Sequence, residues 1–356
     1  MTLTRNQKTV LIISTLLIWT LACRAATRLI IPDTPTPVPP TSTLTAIPTL
    51  PPTLTLSPTP TALVYEASCP LVPSKILEES ISTDRFIHGN EAVSEEEITY
   101  VVHYTVVGDQ LKTPLFFEVG DALEDEQEDR VTHEAIWTLF THLIPAKQRE
   151  VLNGFAIFTD GKENYLAAVN QADRNPYKWE LNVDIADSTV KTELAYTLLH
   201  EYGHLLTLTG EQVEVSVNLY HHPNDSDMYQ QEVEACPQYF TGEGCSNPGS
   251  YINEFFNRFW TDFYAEWLEI DEEENERTRE NMLDNFYDIY QDQFLTDYAP
   301  TSPAEDIAES FTFFILSPKP ELSSIASEKI LFFYEYPELQ ELRMQILKNI
   351  CAEFQE

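Results

Sequence analysis

The segment at residues 198–206, with the sequence LLHEYGHLL, constrains this chain more than any other. Residues four apart lie on one face of an α-helix, so His200 and His204 can direct two imidazole nitrogens at one metal ion. Glu201 lies one step round the helix, where it can take a proton from the water that such a metal activates. Apolar residues on both sides of the motif predict a helix buried inside a domain. The motif therefore predicts half of a zinc site, or else two histidines that are hydrogen-bonded core residues.

Residues 1–31 are predicted to be a targeting segment. Arg5 and Lys8 precede an uncharged run at residues 10–22, which is shorter than the roughly 20 residues of a membrane-spanning helix. Cys23 follows Leu-Ala, which resembles the lipobox of bacterial lipoproteins, where this cysteine is lipidated. The alternatives are an uncleaved membrane anchor and ordinary secretion. All three place the rest of the chain outside the cytoplasm, and the expected location is the cell surface, tethered to the membrane at the N-terminus.

Composition divides the remainder into a linker and a globular part. Residues 32–63 consist mostly of Thr, Pro, Ser and Leu, which favours an extended spacer that builds no core. Residues 64–356 have globular composition and suffice for one two-lobed domain or two small ones. All acidic residues but Asp33 fall in this part, so the formal net charge of −37 for the whole chain comes from it. So acidic a surface repels phosphates, which excludes nucleic acid as a partner.

Four cysteines follow Cys23, an even number that predicts disulfides in an oxidising compartment. Three pairings are possible. We favour Cys236 with Cys245, which closes a short loop, and therefore Cys69 with Cys351, which ties the start of the domain to its end. A second zinc site built from these thiols is disfavoured because no Cys-x-x-Cys spacing exists.

The residue pattern predicts mixed strands and helices before Gly210 and mostly helices after it. Alternating and β-branched residues predict strands at residues 98–107, 115–119, 155–158, 165–169 and 179–185, with a hairpin joining the third and fourth. Helical periodicity predicts helices at residues 132–143, from Asp187 or Ser188 to about 209, and at 252–268, 282–294, 303–316 and 322–354, the last broken near Pro337. Gly210 is predicted to close the helix that carries the motif.

The third metal ligand must come from outside the motif helix. A third histidine in the metzincin arrangement is excluded, because Gly210 stands where that histidine would be. The alternative is a glutamate from a later helix, and the candidates are Glu214, Glu232, Glu234, Glu254, Glu266, Glu305 and Glu309.

Glu305 is favoured because of its position on the helix predicted at residues 303–316. Glu305 and Glu309 lie one turn apart at the border of the apolar face of this helix. Carboxylates beside a packed face need partners, because an unpaired buried charge is costly. A metal ion would supply one for Glu305, and Glu309 could accept the outer N–H of a ligating histidine. The alternative is that both are surface charges of an amphipathic helix.

The HEYGH motif, followed by Tyr298 and then by EDIAE at residues 305–309, resembles the gluzincin metallopeptidases. The similarity is greatest to the group around the catalytic domain of anthrax lethal factor and related bacterial zinc metallopeptidases. The resemblance implies an α+β, zincin-like fold of two lobes: a mixed sheet with the active-site helix, then a mostly helical lobe. It implies one Zn²⁺ per chain, with the following roles: His200, His204 and Glu305 as ligands, Glu201 as general base, Tyr298 steadying the oxyanion and Glu309 supporting a ligand histidine. The strand at 179–185 would be the edge strand along which an extended peptide pairs.

The expected activity is hydrolysis of peptide bonds in a peptide or protein substrate. One alternative is a catalytically silent, surface-anchored binding protein that keeps the zincin fold; the intact Glu201 argues against it. Another is a structural zinc site with four protein ligands, for which His221 and His222 are the additional candidates.

Overall fold

A five-stranded mixed sheet dominates the first half of the protein. The computed structural model describes residues 69–81, 98–161 and 165–354, which belong to one compact unit. The predicted targeting segment at 1–31, with Cys23, and the predicted linker at 32–63 lie outside the described residues. The strands of this sheet are β1 Thr99–Val107, β2 Gln110–Phe116, β3 Leu152–Thr159, β4 Ala167–Ala172 and β5 Asn175–Asp184.

The spatial order of the strands is β2-β1-β3-β5-β4, and only β3 and β5 run parallel. The predicted hairpin between residues 155–158 and 165–169 is therefore wrong, because β5 lies between these two segments. Nearly every residue of β3 is buried, so this strand needs neighbours on both sides. The half-buried β4 suits the edge of the sheet instead. The hairpin that does form joins β4 to β5 through Asp173 and Arg174.

This order also corrects the identity of the edge strand. The segment at residues 179–185 belongs to β5, which pairs with β3 on one side and with β4 on the other. It cannot pair with a further peptide, because both of its edges are occupied. The edge strand next to it is β4, which packs against the helix that carries the HEYGH motif.

The predicted α+β composition is confirmed, with most helices in the second half. A two-stranded ribbon of β6 Val213–Val215 and β7 Gly244–Ser246 interrupts them. The helices are α1 Leu71–Ile81, α2 Glu124–Glu128, α3 Arg130–Leu143, α4 Lys191–Leu208, α5 Val217–His221, α6 Ser226–Ala235, α7 Tyr251–Phe259, α8 Tyr264–Asp271, α9 Glu276–Tyr290, α10 Pro303–Leu316, α11 Ile325–Phe333 and α12 Pro337–Glu353. The helix predicted at 252–268 is two helices, broken between Phe259 and Tyr264.

The predicted start of the motif helix is wrong by a few residues. Its N-cap is Val190, and neither Asp187 nor Ser188 caps it. The Ser188 hydroxyl donates to the carbonyl of Ile185 at 2.8 Å instead, so it serves the preceding turn. The second strand also begins earlier than predicted, at Gln110, because a tight turn at Gly108, whose φ is +60°, lets β2 pair with β1 at once.

Both favoured disulfides are confirmed. Cys69 pairs with Cys351 at a Cα–Cα distance of 5.6 Å, and Cys236 with Cys245 at 5.4 Å. Disulfides persist in oxidising compartments, so this pair of bonds indicates an extracytoplasmic environment. Among the described residues, no helix combines the length and apolar character needed to cross a membrane.

Candidate metal centre

The site is built where α4 crosses α10, and a glycine permits the crossing. A Cβ atom at Gly203 would lie 3.0 Å from the Cα and 3.1 Å from the Cβ of Ala308. Any larger residue at this point would push the helices apart. Because Gly203 lies next to His204, and Ala308 next to Glu309, the close approach brings the charged side chains of the two helices into contact.

A buried ion pair fixes α10 from its other side. Asp306, next to Glu305, accepts from Lys329 Nζ at 2.6 Å and from Trp260 Nε1 at 2.8 Å. Neither Asp306 nor Lys329 is exposed to solvent. A buried pair of this kind allows little movement, since breaking it leaves an uncompensated charge. It therefore holds the first turn of α10, and with it Glu305, in place.

Three ligand atoms converge at the crossing. His200 Nε2 lies 2.9 Å from Glu305 Oε2 and 3.1 Å from His204 Nε2, and His204 Nε2 lies 3.2 Å from the same carboxylate oxygen. Two atoms that bind a tetrahedral zinc ion at about 2.0–2.1 Å are about 3.3 Å apart. The three residues therefore fit one metal ion. The ligating atoms of His200, Glu201 and His204 also lie within 4.8 Å of one another, which places Glu201 beside the same point.

Glu309 supports His200 from behind. Its Oε1 lies 2.8 Å from His200 Nδ1. The same carboxylate accepts from the Tyr196 hydroxyl at 2.9 Å and from Thr296 Oγ1 at 2.8 Å, and Glu309 is fully buried. Because the carboxylate accepts from N–H at Nδ1, the lone pair of Nε2 is left to face the other ligands. Glu309 thus contacts the outer nitrogen of His200, while its role in supporting a metal ligand stays a prediction.

His204 lacks such support within the part of the chain that the structure describes. Its Nδ1 is buried without a hydrogen-bond partner there. Burial raises the pKa of Glu243, in the loop closed by Cys236 and Cys245, and a hydrogen bond from Thr241 and the charge of His204 lower it by smaller amounts. The carboxylate of the disulfide loop therefore interacts electrostatically with His204.

The electrostatics of the cluster suit a cation. Burial lowers the pKa of His200, but Glu305 and Glu309 outweigh it and raise that pKa well above its usual value. Burial raises the pKa of Glu305, yet His204 and His200 bring it well below its usual value. The carboxylates thus stabilise positive charge at the imidazoles. A metal ion would take the place of that charge, since imidazole and carboxylate are both zinc ligands.

Glu201 differs from Glu305 in the direction of its pKa shift. Burial raises its pKa, against the lowering effect of His204 and His200 and of a hydrogen bond from the Val169 backbone. Its Oε2 is buried and has no hydrogen-bond partner among the described residues. A carboxylate with a raised pKa and a free oxygen is well suited to accept a proton.

Besides Tyr196, the tyrosines Tyr298 and Tyr165 interact with the cluster, and the sequence singles out Tyr298 alone. The Tyr298 ring lies 5.8 Å from the His200 ring, and burial together with Glu305 and Glu201 raises the Tyr298 pKa well above its usual value, so its hydroxyl keeps its proton. Burial raises the pKa of Tyr165 as well, and the charges of Tyr100, Glu201 and Glu305 add to the effect. Tyr165 belongs to no motif. Its position could not be predicted either, because the segment at 165–169 is predicted to pair with 155–158, whereas β4 pairs with β5.

The other candidate ligands lie apart from the site. His221 ends α5 and His222 caps it, both are exposed, and neither belongs to the buried group that could hold a metal. Glu232 and Glu266 make hydrogen bonds elsewhere, to Asn218 and Tyr290. Glu214, Glu234 and Glu254 are exposed, on β6, α6 and α7.

No protein-family model, curated protein or solved structure matches this chain.

Proposed function

We propose that this protein is an extracytoplasmic zinc metallopeptidase of the gluzincin type, with a zincin-like fold of two lobes. One observation carries the proposal: His200 Nε2, His204 Nε2 and Glu305 Oε2 all lie within 3.2 Å of one another, although α4 and α10 are remote in sequence. Two imidazoles and one carboxylate form a ligand set of catalytic zinc, which leaves a coordination position open. A structural site would need a fourth protein ligand, and His221 and His222 are exposed at the end of α5.

When bound, zinc would supply a Lewis acid and a water activated at neutral pH. Glu201 takes the proton at its free Oε2 as the substrate carbonyl is attacked, and it returns the proton to the departing amine. The protonated Tyr298 hydroxyl donates to the oxyanion, a contribution of about 3 kcal/mol per donor in comparable sites. Glu309 keeps the His200 ring oriented throughout.

We propose β4 as the strand along which the substrate peptide pairs. It lies at the edge of the sheet and packs against α4, so its outer side is next to Glu201. The hydrogen bond from the Val169 backbone that acts on Glu201 supports this placement, since it links the middle of β4 to the proposed base. An extended peptide added to a sheet edge presents one carbonyl after another to such a base.

The experiment that tests the function is a comparison of the wild-type protein with Glu201→Gln. Casein or a mixed peptide library is the substrate, and each protein is assayed before and after removal of metal with a chelator. We expect zinc-dependent cleavage by the wild type and a loss of at least about 100-fold in Glu201→Gln, since general-base catalysis contributes that much. Metal analysis should find one zinc per chain in both proteins, because the substitution leaves the three ligands intact.

Glu321→Gln, at an exposed residue, is the matched control and should keep full activity. Equal cleavage by wild type and Glu201→Gln would refute the assigned base. Zinc binding without any cleavage by the wild type would favour the silent binding protein. The N-terminal tether at Cys23 remains a separate proposal, tested by mass spectrometry of the mature N-terminus for a lipid on that cysteine.

A further inference from the structure

A second group of buried carboxylates lies at the carboxyl ends of the parallel strands β3 and β5. Asp160 directly follows β3, Asp184 is the last residue of β5, and Asp187 follows shortly after. Their exposed fractions are only 9, 0 and 8 %. One carboxylate oxygen from each lies within 4.8 Å of the other two. None of these residues belongs to the candidate zinc centre.

The hydrogen bonds of this group leave one oxygen of Asp160 unused. Asp184 accepts from the backbone N–H groups of Asp160 at 2.9 Å and Ala186 at 2.6 Å, and Asp160 Oδ2 accepts from the backbone of Tyr165 at 3.0 Å. Asp160 Oδ1 is buried and has no hydrogen-bond partner among the described residues. A buried oxygen without a hydrogen bond destabilises the fold unless a ligand or an ion binds it.

The two aspartates at the strand ends also repel each other. Each contributes a buried carboxylate oxygen that lies within 4.8 Å of the other. No ion pair between described residues includes Asp160 or Asp184. Like charges this close and this deeply buried call for a cation.

We propose that Asp160, Asp184 and Asp187 bind a calcium ion. Calcium takes oxygen ligands at about 2.4 Å, so two oxygens on one ion are at most about 4.8 Å apart, a limit that these three carboxylates meet. The disulfides indicate an extracytoplasmic environment, where calcium modules bind with Kd values of about 10⁻⁴–10⁻³ M. The sequence contains no calcium-loop motif at this site. Such a motif is not needed, because the pairing of β3 with β5 brings the three aspartates together.

The proposed calcium site adjoins the candidate zinc centre through Tyr165. The carboxylate of Asp160 holds the backbone of Tyr165, and the Tyr165 hydroxyl experiences the charges of Glu201 and Glu305. Tyr165 also leads into the edge strand β4. Calcium would therefore fix the start of β4, the strand proposed to bind substrate. The binding of calcium does not depend on any catalytic activity of the protein.

The test measures the melting temperature of the full-length protein, loaded with zinc and freed of other divalent cations. At a Kd of about 10⁻⁴ M, 1 mM CaCl₂ should raise the melting temperature by about 3 °C. The same concentration of MgCl₂ should give less than half of that rise, because magnesium gives up its water reluctantly. No rise with calcium in the wild type would overturn the proposal.

Asp160→Asn provides a signature that general destabilisation cannot imitate. The amide can still accept from the Tyr165 backbone and can donate to the Asp184 carboxylate, which removes the repulsion between the two carboxylates. We expect the variant to melt higher than the wild type without calcium and to show no rise with calcium. Asp292→Asn, at an exposed residue, should respond to calcium as the wild type does. An undiminished calcium response in Asp160→Asn would overturn the assignment.

A second measurement needs no variant. Tb³⁺ is bound at calcium sites and is excited through a nearby tyrosine, which here is Tyr165, whose backbone donates to Asp160. The wild type should show Tb³⁺ luminescence that added calcium displaces, at concentrations consistent with the same Kd of about 10⁻⁴ M. Luminescence that calcium does not displace would contradict the proposal, whatever the behaviour of Asp160→Asn.

Discussion

At the scale of single residues, Glu309 shows how a side chain that would not touch the metal can set its affinity. It is fully buried and receives hydrogen bonds from His200, Tyr196 and Thr296. Glu309→Gln keeps the shape but puts an N–H donor on one side, so one of these bonds is lost and His200 is less well oriented. We expect zinc affinity to fall by about 10- to 100-fold, measured by competition with a chromogenic chelator. Glu305→Gln should lose more, because it removes a ligand, and an unchanged affinity in Glu309→Gln would contradict the role.

The residues of the site could be predicted from the sequence where a helix fixed their spacing. His200 and His204 follow from the helical repeat alone, and so does the relation between Glu305 and Glu309 on α10. Helical spacing does not predict that α10, among several acidic segments, meets α4; the carboxylates at the border of its apolar face and the gluzincin resemblance favour it. Tyr165 and the three aspartates escaped prediction because strand order, which periodicity does not reveal, brings them to their places.

At the scale of secondary structure elements, the crossing of α4 and α10 depends on Gly203. Gly203→Ala would gain about 1 kcal/mol of helix propensity but would place a methyl group 3.0 Å from Ala308 Cα. Overpacking costs about 1–3 kcal/mol, so we expect a net loss of about 1 kcal/mol in the free energy of unfolding, measured with urea. Zinc affinity should fall too, because Glu305 moves with α10.

Gly210→Ala is the matched control for this crossing. No atom of the described residues lies within 4 Å of a Cβ atom at Gly210, and its φ is not in the left-handed region, so alanine should be tolerated there. The sequence predicts Gly210 as the residue that closes α4, but the helix ends in an extended Thr209 instead. A loss of stability in Gly210→Ala as large as in Gly203→Ala would show that the helix contact is not the cause.

At the scale of the whole molecule, the disulfide between Cys69 and Cys351 joins the two ends of the described chain. It ties the start of α1 to α12, and α1 packs on both α4 and α10, the helices that carry the proposed ligands. The mixed α and β character and both disulfide pairings could be predicted from the sequence, because residue patterns and the number and spacing of cysteines point to them. The packing of α1 against α4 and α10 could not be predicted from the sequence, because it is determined by tertiary contacts.

This bond should contribute more to stability than the one between Cys236 and Cys245. A cross-link lowers the entropy of the unfolded chain and so raises its free energy. For the bond that spans 282 residues this effect is about 5 to 6 kcal/mol, and for the bond that spans 9 residues it is about 3 kcal/mol. We expect the double variant Cys69→Ala, Cys351→Ala to lose more unfolding free energy in urea than Cys236→Ala, Cys245→Ala. The shorter bond closes the loop that contains Glu243, which interacts electrostatically with His204, so its loss should change KM for peptide cleavage while costing less stability than loss of the longer bond. The opposite order of stabilities would mean that α1 stays docked without its covalent tie, and that packing against α4 and α10 alone holds it there.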